Sequence, residues 1–241
     1  MASDKILEKI ILHPMKKTLL FLSIIFALII LEGCDNNQNS TPTDGLTKIP
    51  TSTVKITPAK DNYPPILHSN DWQKPIPLNA SVNTAGAEDS PFITPDGNTL
   101  YFFFTPDPNI PAEKQVIDNV TGIYVSQKTD GNWTKAKRII LQDKNKLSLD
   151  GCEFVQNNTI WFCTAREGFT GLNWFTAEYK NNKWQDWKIA PKEFAKYEVG
   201  ESHFSSDGQE LFFHSSRAGG LGQYDIWSSR VNNGILHPLF L

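Results

Sequence analysis

The sequence is short of the residues from which metal and redox centres are built. It holds three cysteines and five histidines. They are sparse and lack ligand spacing, so no metal site is expected. It is also short of positive charge. The formal net charge is −3, which leaves no basic footprint, and nucleic acid is not an expected partner. The apolar run Thr18 to Leu31, about 14 residues, is too short for a comfortable membrane span. Gly219, Gly220 and Gly222 are spaced glycines, but no helix follows them, which excludes a dinucleotide-binding loop. No cofactor is expected.

What is present is a globular composition, 39% hydrophobic and 20% charged, and one principal domain is expected. Seven Trp within 12% aromatics suit a β-rich core. The most informative stretch runs from Glu201 to Arg230. It reads as a strand at Ser202 to Ser205, a turn at Ser206-Asp207-Gly208-Gln209, and a strand at Glu210 to His214. An Asp-Gly turn between apolar residues is the strongest short hairpin signal. A glycine-rich loop from Arg217 to Gly222 leads to a third strand, Tyr224 to Ser229.

The unit recurs. Asp89 to Phe104 followed by Thr121 to Gln127 is one copy, and Glu153 to Thr164 followed by Asn173 to Tyr179 is another. Each of these two is followed by a segment opening on Trp, at Trp133 and Trp184, and a further such segment opens on Trp72. The tryptophans recur at roughly 50–60 residues, close to the period of a four-stranded propeller blade. The expected fold is therefore all-β, a β-propeller of four-stranded antiparallel blades with about three blades present.

Two runs carry a family resemblance. Ser90-Pro91…Thr94-Pro95-Asp96-Gly97…Leu100-Tyr101-Phe102 and Ser215-Ser216-Arg217…Gly219-Gly220…Gly222…Tyr224-Asp225-Ile226-Trp227 resemble the WD-like repeat of TolB-type β-propellers. The resemblance covers about residues 70–230. It implies the fold strongly and the function weakly, because propellers host binding modules and enzymes alike. A propeller closes with roughly 4–8 blades. The third copy lacks its Trp segment near Leu236. The expectation is thus a C-terminally truncated, incomplete five- or six-bladed ring. In it the Trp72 segment has lost its partner, and Phe92, Ile93, Phe154 and Phe204 are partly exposed.

Residues 1–33 read as an export signal. Lys16 and Lys17 precede the apolar run, which ends in Leu31-Glu32-Gly33-Cys34. That ending resembles a bacterial lipobox, which implies a lipidated Cys34 and a membrane partner reached through the lipid anchor. Met15 is an alternative start, leaving residues 1–14 outside the protein. Asp35 after Cys34 resembles an inner-membrane retention signal. Residues 34–64 read as the lipidated Cys and a disordered tether rich in Asn, Thr, Ser and Pro. The partial propeller takes residues 65–241. The expected location is outside the cytoplasm, at the outer face of the cell membrane or in the periplasm.

Glu88, Asp89, Asp150 and Glu201 all fall at starts of first strands and are expected to line one end of the central channel. A ring of carboxylates suits a cation, a basic partner or a sugar; the other reading is that they hydrogen-bond the turns before those strands. The long loop Thr105 to Asn119 on the same face is a second candidate for binding. Arg217 and Asp225 recur as Arg166 and Asn173, while the first copy has Pro106 and Gly122. This joint loss suggests a structural Arg–carboxylate or Arg–amide bond closing the loop. With a turn at Asn157-Asn158, Cys152 falls opposite Cys163, and either a disulfide or two buried thiols fits. Two functions stand. The first is a non-enzymatic binding module for an unidentified protein or carbohydrate. The second is a glycoside hydrolase-like enzyme using Asp89, Asp150 and Glu201.

Overall fold

The computed structural model describes residues 45–190, 199–232 and 235–238. The export segment, Cys34 and the first part of the tether lie outside the described residues. The chain is an all-β propeller array of three antiparallel meanders. Blade 1 holds β1 (Ala87–Ile93), β2 (Thr99–Thr105), β3 (Gly122–Thr129), β4 (Asn132–Trp133) and β5 (Lys137–Arg138). Its last strand is split, with β4 and β5 both paired to β3. Blade 2 is β6 (Ser148–Gln156), β7 (Thr159–Arg166), β8 (Asn173–Lys180) and β9 (Lys183–Ile189). Blade 3 is β10 (Val199–Phe204), β11 (Glu210–Ser215), β12 (Asp225–Asn232) and β13 (Ile235–Pro238).

Local chemistry sets the hairpins. In blade 1 the Thr94 hydroxyl donates to Asp96 at 2.6 Å, and Asp96 accepts the Asn98 N–H. Gly97 takes the left-handed position at φ 71°. Blade 3 repeats the device with Ser205, Asp207, the Gln209 N–H and Gly208 at φ 70°. These bonds hold the carboxyls of Asp96 and Asp207 below the usual range, the side-chain hydroxyl contributing most. Blade 2 turns on Asn157 at φ 56°, so that Gln156 pairs with Thr159 as expected.

Four expectations are corrected. Blade 3 has its fourth strand, because β13 pairs with β12. Strand pairing uses backbone groups and does not need the tryptophan, and Asn232 pairs with Ile235. The Trp72 segment is not a strand, and Trp72 and Ile76 are exposed. Gly45 and Ile49, placed in the tether, instead pack on blade 1. Gly45 lies where a Cβ would meet Tyr124, Phe104 and Val120, and Ile49 packs on the same apolar cluster. Finally, Phe92, Phe154 and Phe204 are buried; Ile93 alone of the four is exposed. The inner strands of the three blades pack on one another, and the aromatics fill the space between them. Phe154 meets Phe204 at 5.5 Å, and Phe204 meets Trp161 at 5.4 Å.

Candidate binding site

Each inner strand carries a β-bulge at the same place. The register breaks between Asp89 and Phe92, between Gly151 and Phe154, and between Gly200 and His203. The residue that takes the left-handed turn is Ser90 (φ 49°), Cys152 (φ 53°) or Glu201 (φ 39°). Positive φ at three non-glycine residues in equivalent positions is a repeated constraint, since such residues rarely adopt it. After each bulge comes an aromatic ring, Phe92, Phe154 or His203. His203 lies 5.4 Å from Phe92 and 5.8 Å from Phe154, so one ring per blade meets at the centre.

The bulges bring acids together. The Ser90 hydroxyl donates to Glu201 at 3.0 Å, joining blade 1 to blade 3. Glu153 is 4% exposed, and neither carboxyl oxygen has a hydrogen-bond partner. Burial pushes its carboxyl well above the usual range, and the neighbouring Cys152, Glu201 and Asp89 push in the same direction. The Ser202 hydroxyl, at the equivalent position of blade 3, is also buried and unpartnered. Sequence reading missed Glu153. Its position was legible as the start of a first strand, but its burial depends on the bulge and on two neighbouring blades.

The four expected acids divide. Asp89 and Glu201 are exposed and gather around Glu153. Glu88 accepts the Thr84 N–H at 3.0 Å and the Thr84 hydroxyl, bonding the turn before β1. Asp150 is 3% exposed and does not face an open channel. It accepts bonds from Ser148 (2.9 Å), Thr164 (2.6 Å) and Arg166 (3.0 Å). A buried carboxylate is tolerable only when paired in this way.

Arg166 and Arg217 occupy equivalent places in blades 2 and 3, and for Arg166 the partner differs from the one expected. Arg166 pairs with Asp150 rather than Asn173, whose amide donates to the Thr170 and Gly171 carbonyls. Its guanidinium lies 4.3 Å from the Phe175 ring and 5.3 Å from Phe162. Arg217 repeats the stacking on the equivalent rings, 4.4 Å from Phe213 and 5.4 Å from Trp227. Asp225 accepts the Gly222 N–H at 3.0 Å, closing its own loop. The recurring unit is thus an arginine between two aromatic rings of neighbouring strands.

Cys152 and Cys163 are free thiols. The bulge sets Gly151, not Cys152, opposite Cys163. The two thiols still meet: a hydrogen bond to Cys152, with burial, pushes the Cys163 thiol well above its usual range.

A cavity of about 310 Å³ opens on the loop face of blade 2. Phe169, Phe175 and Trp187 line it with Lys146, Glu167 and Lys188. Lys146 pairs at 2.6 Å with Glu167, which lies on the same loop as Phe169. The long loop of blade 1 does not contribute. That loop contains a single-turn helix, α1 (Ala112–Gln115), and is closed by Asp118, which accepts the N–H groups of Val120 and Thr121 at 2.7 Å.

No family model matches the chain, and no curated protein matches it. Nine chains of known structure do. Among them is the crystal structure of a thermostable family-43 glycoside hydrolase, 15% identical at a TM-score of 0.34, covering 64% of this chain. The present chain spans 56% of that chain's length.

Proposed function

We propose that the chain is a non-enzymatic binding module, a TolB-like propeller held outside the cytoplasm by a lipid on Cys34, which takes a glycan segment in the blade 2 cavity. The observation that carries this reading is the lining of the cavity. Phe169 and Trp187 offer rings to the apolar faces of sugar rings, and Lys146, Glu167 and Lys188 offer charged groups to hydroxyls. The cavity lies on the loop face of a rigid blade, where binding residues concentrate. A glycosidase needs two carboxyls about 5–10 Å apart, flanking the bond it cleaves. Asp150, one of three candidates for that role, is committed to Ser148, Thr164 and Arg166.

The test is calorimetric titration of the chain with a panel of oligosaccharides. Trp187→Ala and Phe169→Ala should each weaken binding about tenfold, the loss of about 1.4 kcal/mol. Binding unaffected by both changes removes the cavity from the reading. Turnover of chromogenic glycosides, abolished by Glu201→Gln, replaces the module with a hydrolase. Anchoring is tested separately by Cys34→Ala, which should release the chain from membranes. Unchanged fractionation and mass remove the lipid.

A further inference from the structure

Glu153 and Ser202 hold the same place in adjacent blades, each following the left-handed bulge residue of its inner strand. Both side chains are buried, at 4% and 5% exposure, and both leave their oxygens without a partner. A buried polar group left unmade costs about 1–3 kcal/mol. The two groups lie on inner strands whose bulges meet, where the Ser90 hydroxyl donates to Glu201 at 3.0 Å and His203 lies 5.4 Å from Phe92 and 5.8 Å from Phe154. With the exposed carboxylates of Asp89 and Glu201 on the same bulges, they make a floor of acceptors and a negative rim.

We propose that this floor and rim form a binding site for a primary ammonium group carried on the alkyl stem of an organic cation. An ammonium presents three N–H donors. The two Glu153 oxygens and the Ser202 hydroxyl are three acceptors. Asp89 and Glu201 supply the charge that draws the cation in. A metal ion fits less well: among the described residues, no group of three His, Cys, Asp or Glu is arranged to hold one. The proposal is separate from the blade 2 cavity and does not depend on it.

Burial raises the Glu153 carboxyl well above its usual range while the site is empty. A cation beside it favours the carboxylate, so the proton leaves to solvent as the ammonium enters. The other titratable groups around it are Asp89, Cys152, Cys163, Glu201 and His203.

The experiment titrates the full chain with n-butylammonium, tetramethylammonium and calcium chloride. n-Butylammonium should bind saturably, with a heat that depends on the buffer's ionisation enthalpy, the mark of proton release. Glu153→Gln should remove that buffer dependence and weaken binding about tenfold. Ser202→Ala should weaken it without removing the buffer dependence, and it carries the test if Glu153→Gln does not fold. Tetramethylammonium, with equal charge and no N–H donor, should not compete. Equal binding of tetramethylammonium reduces the site to a negative surface, and tighter binding of calcium makes it a metal site. Either result overturns the proposal, as does no saturable binding or affinity unchanged in the foldable variants.

Discussion

Arg166 and Asp150 form an ion pair at 3.0 Å with both side chains almost fully buried, 7% and 4% exposed. The pair ties the end of β7 to β6, and the same guanidinium reaches the Leu141 carbonyl at 3.1 Å. It therefore joins the connection between blades 1 and 2 to the frame of blade 2.

Breaking such a pair leaves a buried charge without its counter-charge, at a cost of about 3–5 kcal/mol. Asp150→Asn and Arg166→Met should each lower thermal stability by that order. The double variant should lose less than the sum, because the second change removes the charge the first one stranded. Additive losses in denaturant unfolding would mean that the two groups do not depend on each other.

Glu153 sets a slope of stability with pH. Its folded pKa is raised above the unfolded value, so the folded state holds the extra proton. Where the folded state binds more protons, stability falls as pH rises. The loss begins at the unfolded value, near the ordinary carboxyl range, and continues up to the raised folded value. Glu153→Gln should remove this contribution. The variant should gain on the parent in melting temperature as the buffer goes from pH 4 to pH 8, and a constant difference across that range would refute the assignment.

Gly97 tests the hairpin device by itself. Its φ is 71°, and an added Cβ would meet nothing within 4 Å. Gly97→Ala should therefore cost only the left-handed backbone penalty, about 1–2 kcal/mol. Gly208 has nearly the same φ, but a Cβ there would also press on the Gln156 side chain at 2.8 Å. Gly208→Ala should cost more than Gly97→Ala in the same unfolding assay; the reverse order would separate backbone strain from these turns.

The thiols should differ in reactivity. Alkylation needs the thiolate, and Cys163 is buried with its thiol held well above the usual range. Cys152 is partly exposed. Iodoacetamide at neutral pH should label Cys152 well before Cys163 in the native chain, and both equally in urea. Peptide mass spectrometry reads the difference. Recovery of a Cys152–Cys163 disulfide peptide from native protein would show instead that the pair is oxidised.

The sequence alone determined the elements and their repetition. Thr94-Pro95-Asp96-Gly97 and Ser205-Ser206-Asp207-Gly208 close their turns through bonds within a few residues. The alternating apolar strands beside them need no distant partner to be recognised. The equivalence of Arg166 and Arg217 was legible for the same reason, as a fixed offset within a repeat. Their partners were not. Asp150 bonds Arg166 across the full length of a hairpin, and the stacking rings come from two strands. The bulges were also hidden, because one extra residue in a strand leaves the pattern of residue types almost unchanged. That single residue moves Cys152 off Cys163 and leaves Glu153 buried with no partner. Burial belongs to the packing of blades on one another, so the acid with the most altered chemistry became visible only when three inner strands met.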